Sequence, residues 1–154
     1  RINIEILRLK TGSLIRENAS KYGYEFSIKP PYEVLKNDYM KPTDIIKIRM
    51  ISELLNNIQI GFEDTIEKLR SDLHMKPYHL FTSIVEYIIS GNLKDKLNTI
   101  DDYYRLINAY ALNVYDASGD TIQIPVLKQV IKSDIKKVMS EDEILSFEEK
   151  GWEL

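Results

Sequence analysis

Apolar positions recur at helical spacing through most of this chain, and the departures gather before residue 41. After Pro42, Ile45, Ile46, Ile48, Ile51, Leu54, Leu55 and Ile58 make one broad apolar face, which predicts an amphipathic helix ending near Gln59. Gly61 interrupts it. Phe62, Ile66, Leu69 and Leu73 then share one stripe of a shorter helix. Pro77 suits the first turn of the next, where a missing N–H costs nothing, and Leu80, Phe81, Ile84, Val85, Ile88 and Ile89 face a core until Gly91 stops it. Thr99, followed by Asp101 and Asp102, reads as an N-cap with acids in the first turn, where the helix dipole favours negative charge. That helix should run to about Tyr115, and residues 116–120, with Ser118-Gly119, predict a loop. Pro125 opens a further helix with Val126, Leu127, Val130, Ile131, Ile135 and Val138 inward. Ser140 and Glu143 have capping-box spacing before a last short helix ending near Gly151.

The first forty residues read differently. Positions 2, 4, 6, 7 and 9 are apolar, which suits a strand at the start and a helix over the whole, so periodicity leaves residues 1–10 open. Residues 13–22 predict a short helix ended by Gly23 in a left-handed conformation. Residues 24–40 lose the helical period and carry Pro30-Pro31, each proline fixing its own φ and steering the preceding residue away from the helical region; an extended stretch follows. The fold class this implies is all-α, a bundle or array of six to seven helices with one extended N-terminal segment. Any seam between domains would fall at residues 24–40.

With 154 residues and 44% hydrophobic content, the chain is long enough for one compact domain with its own core. Lysine and arginine total 21 against 24 acids, and the formal charge of −3 offers no overall attraction for a polyanion, so nucleic acid is not the expected partner. The absence of cysteine removes disulfides, thiolate nucleophiles, zinc knuckles and iron–sulfur ligation together. No apolar run approaches the roughly 20 residues that cross a bilayer, and no charged-then-apolar leader opens the sequence. A cytoplasmic location without a membrane partner is therefore expected. The alternation of Ile2, Ile4 and Ile6 begins as though mid-element at Arg1, which reads as the edge of a piece cut from a longer chain.

Few side-chain groupings suggest chemistry. His74 and His79 are five apart with Pro77 between them, so they share no helix face and read as surface or helix-end residues rather than a metal pair. Glu63-Asp64, Asp101-Asp102, Glu141-Asp142-Glu143 and Glu148-Glu149 could pair carboxylates, but three of the four sit in first turns that capping already explains. Lys128, Lys132 and Lys136, with Lys137 alongside, line one helical face; no aromatic or arginine interleaves them to stack on or read bases. No glycine-rich dinucleotide or phosphate loop and no Gly-x-Ser-x-Gly is present. The densest unusual segment runs through Pro30-Pro31-Tyr32-Glu33-Val34-Leu35 to Asn37, Asp38 and Tyr39. Rigid prolines and large tyrosines in an extended stretch suit docking against another surface, or equally packing onto the chain's own helices.

A family resemblance runs through Ile6-Leu7-Arg8-Leu9-Lys10 with Gly12 and Leu14, Lys21-Tyr22-Gly23, Pro31-Tyr32-Glu33-Val34-Leu35 and Asp44-Ile45-Ile46-Lys47-Ile48. It continues in Phe62-Glu63-Asp64-Thr65-Ile66-Glu67-Lys68-Leu69, Leu80-Phe81 and Asp102-Tyr103-Tyr104. Over roughly residues 4–112 the chain resembles the helical C-terminal domain of unknown function that follows the cobalamin-binding and radical SAM domains in a group of bacterial proteins. These carry the labels Fe–S oxidoreductase or magnesium-protoporphyrin IX monomethyl ester oxidative cyclase-like. The chain departs from that pattern at Thr11-Gly12-Ser13 and is shorter around residues 56–61, where relatives carry a tyrosine-rich insertion.

The resemblance implies a parent enzyme that binds S-adenosylmethionine and a [4Fe–4S] cluster, with cobalamin as a further candidate cofactor, all held upstream of this cysteine-free stretch. Residues 1–40 would then be the tail of the preceding radical SAM domain and a bridging segment, and residues 41–154 the helical C-terminal domain. The expected role is that of a non-catalytic accessory domain packed beside the catalytic barrel, closing its substrate side against water or oxygen. Its partners would be the radical SAM and cobalamin-binding domains of the same chain. The residues expected to make the interdomain contact are Tyr24, Pro31, Tyr32, Glu33, Val34, Leu35 and Tyr39. The alternative is an independent helical module that binds a protein or, through the lysine face, a nucleic acid.

Overall fold

A computed structural model describes residues 3–58 and 61–149 of the chain. Helices make up 67% of the structure and the one sheet has two short strands, so the fold is mainly helical, as the periodicity predicts. The chain divides into two compact units, Arg1–Leu55 and Asn56–Leu154.

In the first unit, α1 (Leu14–Glu17) passes into a 3-10 turn, Ala19–Tyr22, that ends on Gly23 at φ +62. The left-handed backbone at Gly23 favours glycine, and a Cβ there would have to displace the exposed Asp38 carboxylate. Strand β1 (Glu25–Phe26) pairs antiparallel with β2 (Val34–Lys36). The opening residues, whose periodicity is ambiguous, extend alongside β2 instead of coiling. Leu9 N donates to the Tyr32 carbonyl at 2.9 Å and Val34 N to the Leu7 carbonyl at 2.9 Å. Between the strands the Pro30–Pro31 bond is cis and Tyr32 takes φ +60. A small core of Leu9, Ala19 and Val34 sits under these segments, with Ile6, Ile15, Tyr24 and Phe26 packed against it. Helix α2 (Pro42–Ile58) buries Ile45, Met50, Ile51, Leu54, Leu55 and Ile58, and its Ser52 hydroxyl donates to the Ile4 carbonyl at 2.6 Å. The division between the two units falls inside this helix.

The second unit holds α3 (Glu63–Asp72), α4 (Pro77–Ser90), α5 (Ile100–Ser118), α6 (Ile124–Val138) and α7 (Glu141–Glu149). Helix α6 packs on α3, α5 and α7, and α4 packs on α5. The expected caps are in place. Pro77 occupies the first turn of α4, Thr99 and Asp102 form a reciprocal capping box on α5, and Ser140 exchanges hydrogen bonds with Glu143 at the start of α7. At the core, Phe62 stacks on Tyr104 with ring centroids 4.1 Å apart, and the Tyr104 hydroxyl donates to the Gly61 carbonyl at 3.1 Å.

Several expectations need correction. Helix α5 continues to Ser118, so most of the loop expected at 116–120 is helical; Gly119, at φ +79, is where the left-handed turn falls. Ile46, Ile89, Val126 and Val138 were expected inward but lie at the margins of their stripes and are exposed. An apolar arc drawn from periodicity alone is wider than the neighbouring helix can cover. The expected ends at Gln59 and Gly151 lie outside the described residues.

Candidate interaction surface

The segment singled out for docking is divided by its own alternation. In β2 the side chains point to opposite faces in turn, so Val34 turns into the small core at 2% exposure while Leu35 faces out at 45%. Tyr24 is half-buried against that core. Tyr32 is half-buried as well, and the Arg16 guanidinium lies 4.7 Å above its ring and 5.0 Å from that of Phe26. The same guanidinium donates to the Leu9 carbonyl at 3.0 Å. Glu33 bridges two arginines, Arg49 at 2.7 Å and Arg8 at 3.7 Å. Pro31 is exposed and Tyr39, at 94%, almost wholly so. Thus Val34, Tyr24, Tyr32 and Glu33 are engaged within their own unit, whereas Pro31, Leu35 and Tyr39 face solvent.

Besides Ile46, four further exposed apolar residues of this unit were not among the expected docking residues: Leu7, Leu14, Tyr22 and Ile28, with Ile28 at 84%. Leu14, Tyr22 and Tyr24, together with Lys21, line a shallow cleft of about 490 Å³ beside α1.

In the second unit the polar groups serve the fold. Asp134 is wholly buried on α6, where its Oδ2 accepts from both the backbone N–H and the hydroxyl of Thr65, each at 2.8 Å. Phe62, at the N-cap of α3, has no side-chain acceptor, so the α6 carboxylate caps that helix from another element. Its Oδ1 accepts from Lys137, which also reaches Asp64 at 2.7 Å; these two bonds push the lysine well above its ordinary pKa. The Lys137 end of the lysine face is therefore committed to carboxylates. The signal for Asp134 was a lone acid between Ile131 and Ile135 on the apolar stripe.

A second network joins α3 to α5. The Tyr115 hydroxyl donates to Asp72 at 2.6 Å, and Lys68 donates to Asp72 at 2.9 Å and to Gln123 at 3.1 Å. Burial pushes the Asp72 carboxyl up, but the Tyr115 and Lys68 donors outweigh it and hold the group below its usual range. Burial and neighbouring carboxylates push the Tyr104 and Tyr115 phenols far above the ordinary tyrosine value.

His74 is the left-handed residue, φ +50, of a Schellman motif closing α3: His74 N donates to the Ser71 carbonyl and Met75 N to that of Arg70. His79 is exposed in the first turn of α4. Among the described residues no three histidine or carboxylate side chains are grouped to hold a metal ion. A [4Fe–4S] cluster does not fit this chain's donor set, because such clusters are held by cysteine thiolates and the sequence has none. No described helix is long and apolar enough to cross a membrane.

Comparison with known proteins adds the family. Residues 20–151, well over half of the chain, match the family described as "Protein of unknown function (DUF4080)". The chain belongs to this family. The match spans α2 to α7 and the segment from residue 20 before them. No curated protein and no solved structure matches the chain.

Proposed function

We propose that this chain is a non-catalytic accessory domain of a radical SAM Fe–S oxidoreductase, packing through its N-terminal unit against the catalytic barrel. The radical SAM part of the same polypeptide would hold S-adenosylmethionine and the cluster, and a cobalamin-binding domain would hold the corrinoid. This chain would close the substrate side. Its own residues would supply apolar contact and exclude water; they supply no thiolate.

The observation that carries this reading is the run of exposed large apolar side chains on the N-terminal unit, from Leu14 at 77% through Ile28 to Tyr39. Leaving such side chains in water forfeits roughly 1.5–3 kcal/mol each relative to burial, and Leu14 and Tyr22 line one cleft beside α1, which supports an interaction surface on this unit.

The test uses the full-length gene, expressed anaerobically and reconstituted. A Cys-x-x-x-Cys-x-x-Cys upstream of this region should carry the cluster. The Ile28→Asp/Tyr39→Asp double variant, altered only at exposed positions, should keep its cluster content and lose most turnover. Undiminished turnover in that variant, or a whole gene without the cysteine motif, would refute the reading.

A further inference from the structure

The shallow cleft beside α1 is built by local bonds. Asn18 folds back on α1, its backbone N–H and its side-chain amide both donating to the Leu14 carbonyl, at 3.1 and 2.8 Å. Gly23 then ends the 3-10 turn in the left-handed region, and Tyr24 N donates to the Ala19 carbonyl at 2.9 Å, which brings Tyr24 back to the cleft. Ile15 and Tyr24 pack against the small core and make the inner lining. Leu14 and Tyr22, both exposed, form the rim, and the Tyr22 and Tyr24 rings stand 6.1 Å apart.

The charge at this cleft has one sign. No acid lines it. The Lys21 ammonium lies 5.9 Å from the centre of the Tyr22 ring, which places it beside that wall, and among the described residues it forms no ion pair. Other cations of the unit are matched: Arg8 and Arg49 share Glu33, and Lys36 pairs with Glu25. Residues 1–55 carry ten lysines and arginines against seven acids, a formal +3, whereas residues 56–154 carry eleven against seventeen, a formal −6. The field around the cleft therefore favours an incoming carboxylate.

Shape narrows the occupant further. Small-molecule sites enclose most of their ligand's surface, which a shallow cleft does not. A bilayer is entered by side chains that protrude from a protein, not received in a concavity. A concave patch walled by leucine and tyrosine suits one anchoring side chain of a protein partner.

We propose that the cleft beside α1 receives a protein segment in which a large apolar side chain adjoins a carboxylate, the apolar group against Leu14 and Tyr22 and the carboxylate on Lys21. That this segment belongs to the upstream part of the same polypeptide rests on the accessory-domain reading; the chemistry of the contact rests on the cleft alone.

Carbodiimide coupling on the reconstituted full-length protein tests it, because the reagent joins a lysine amine to a carboxylate in contact with it and mass spectrometry of the digest names both partners. Lys21 should be found joined to an aspartate or glutamate outside residues 1–154 that adjoins a large apolar residue. Lys36 joined to Glu25, 2.8 Å away, is the control for a folded unit. Leu14→Glu, at an exposed rim position, sets an acid against the incoming one and should cut the Lys21 yield about ten-fold with the Lys36 control unchanged. Lys21 uncoupled beside a coupled Lys36, coupled only to acids within residues 1–154, or coupled equally in Leu14→Glu would each overturn the proposal, as would binding to phosphatidylserine vesicles that depends on Lys21 in place of coupling. Coupling that persists while Ile28→Asp/Tyr39→Asp keeps full turnover supports this contact and removes the accessory role; lost turnover in that variant without any Lys21 coupling does the reverse.

Discussion

Replacing Asp134 by alanine removes the only side-chain acceptor among the described residues that reaches the N-terminus of α3 at Thr65. Two hydrogen bonds to a charged group disappear, each contributing about 1.5–3 kcal/mol, and the buried Thr65 amide and hydroxyl lose their acceptor. Water cannot readily replace it, since Asp134 and Thr65 are both fully buried. Removing one partner of a buried charged network costs roughly 3–5 kcal/mol, so a loss of about 4 kcal/mol is expected. For a chain of this size that corresponds to a fall in Tm of about 8–16 °C. Thr65→Val keeps the shape and the backbone bond but removes the hydroxyl, and should cost about 1–2 kcal/mol. Urea denaturation followed by helical ellipticity gives both values, and the double variant completes a cycle in which the two changes share one bond. A coupling of about 1 kcal/mol or more is expected. If Asp134→Ala cost under about 1 kcal/mol, or the two effects were simply additive, the cross-element cap would not be what holds α3.

Acid should destabilise the second unit through Asp72. Its folded pKa lies below the unfolded value, so the stability it contributes is complete above about 4 and is lost as pH falls through the folded value; Asp72→Asn should flatten the dependence of the denaturation midpoint on pH in that range. Alkali should act through Tyr104 and Tyr115, whose folded values are raised. Their contribution is intact below about 10 and is lost as pH rises through the folded values, so an ultraviolet titration should show these two phenols ionising only with unfolding, with Tyr110, also raised by burial, titrating late as well. Thr99→Ala breaks the α5 capping box and should cost about 1 kcal/mol in denaturant, with an unchanged midpoint counting against it. Gly23→Ala is strained at φ +62 and should destabilise the N-terminal unit by about 1 kcal/mol, read as lost amide protection around residues 7–9 and 32–36.

The sequence alone determined the helices from Pro42 onward and the caps that open α4, α5 and α7. Those signals are local: a repeat of 3.6 residues, Pro77 in a first turn, Thr99 with Asp102, and Ser140 with Glu143 each act within one helical turn. Tertiary structure decided what those helices meet. Asp134 and Thr65 are 69 residues apart, and no local preference marks them as partners; burial in a low-dielectric interior does. The candidate surface was legible as a segment but not as a set of exposed atoms. Whether Val34 or Leu35 faces water depends on the register of β2 against β1 and residues 7–9, because neighbouring strand positions point to opposite faces and pairing chooses which face is covered.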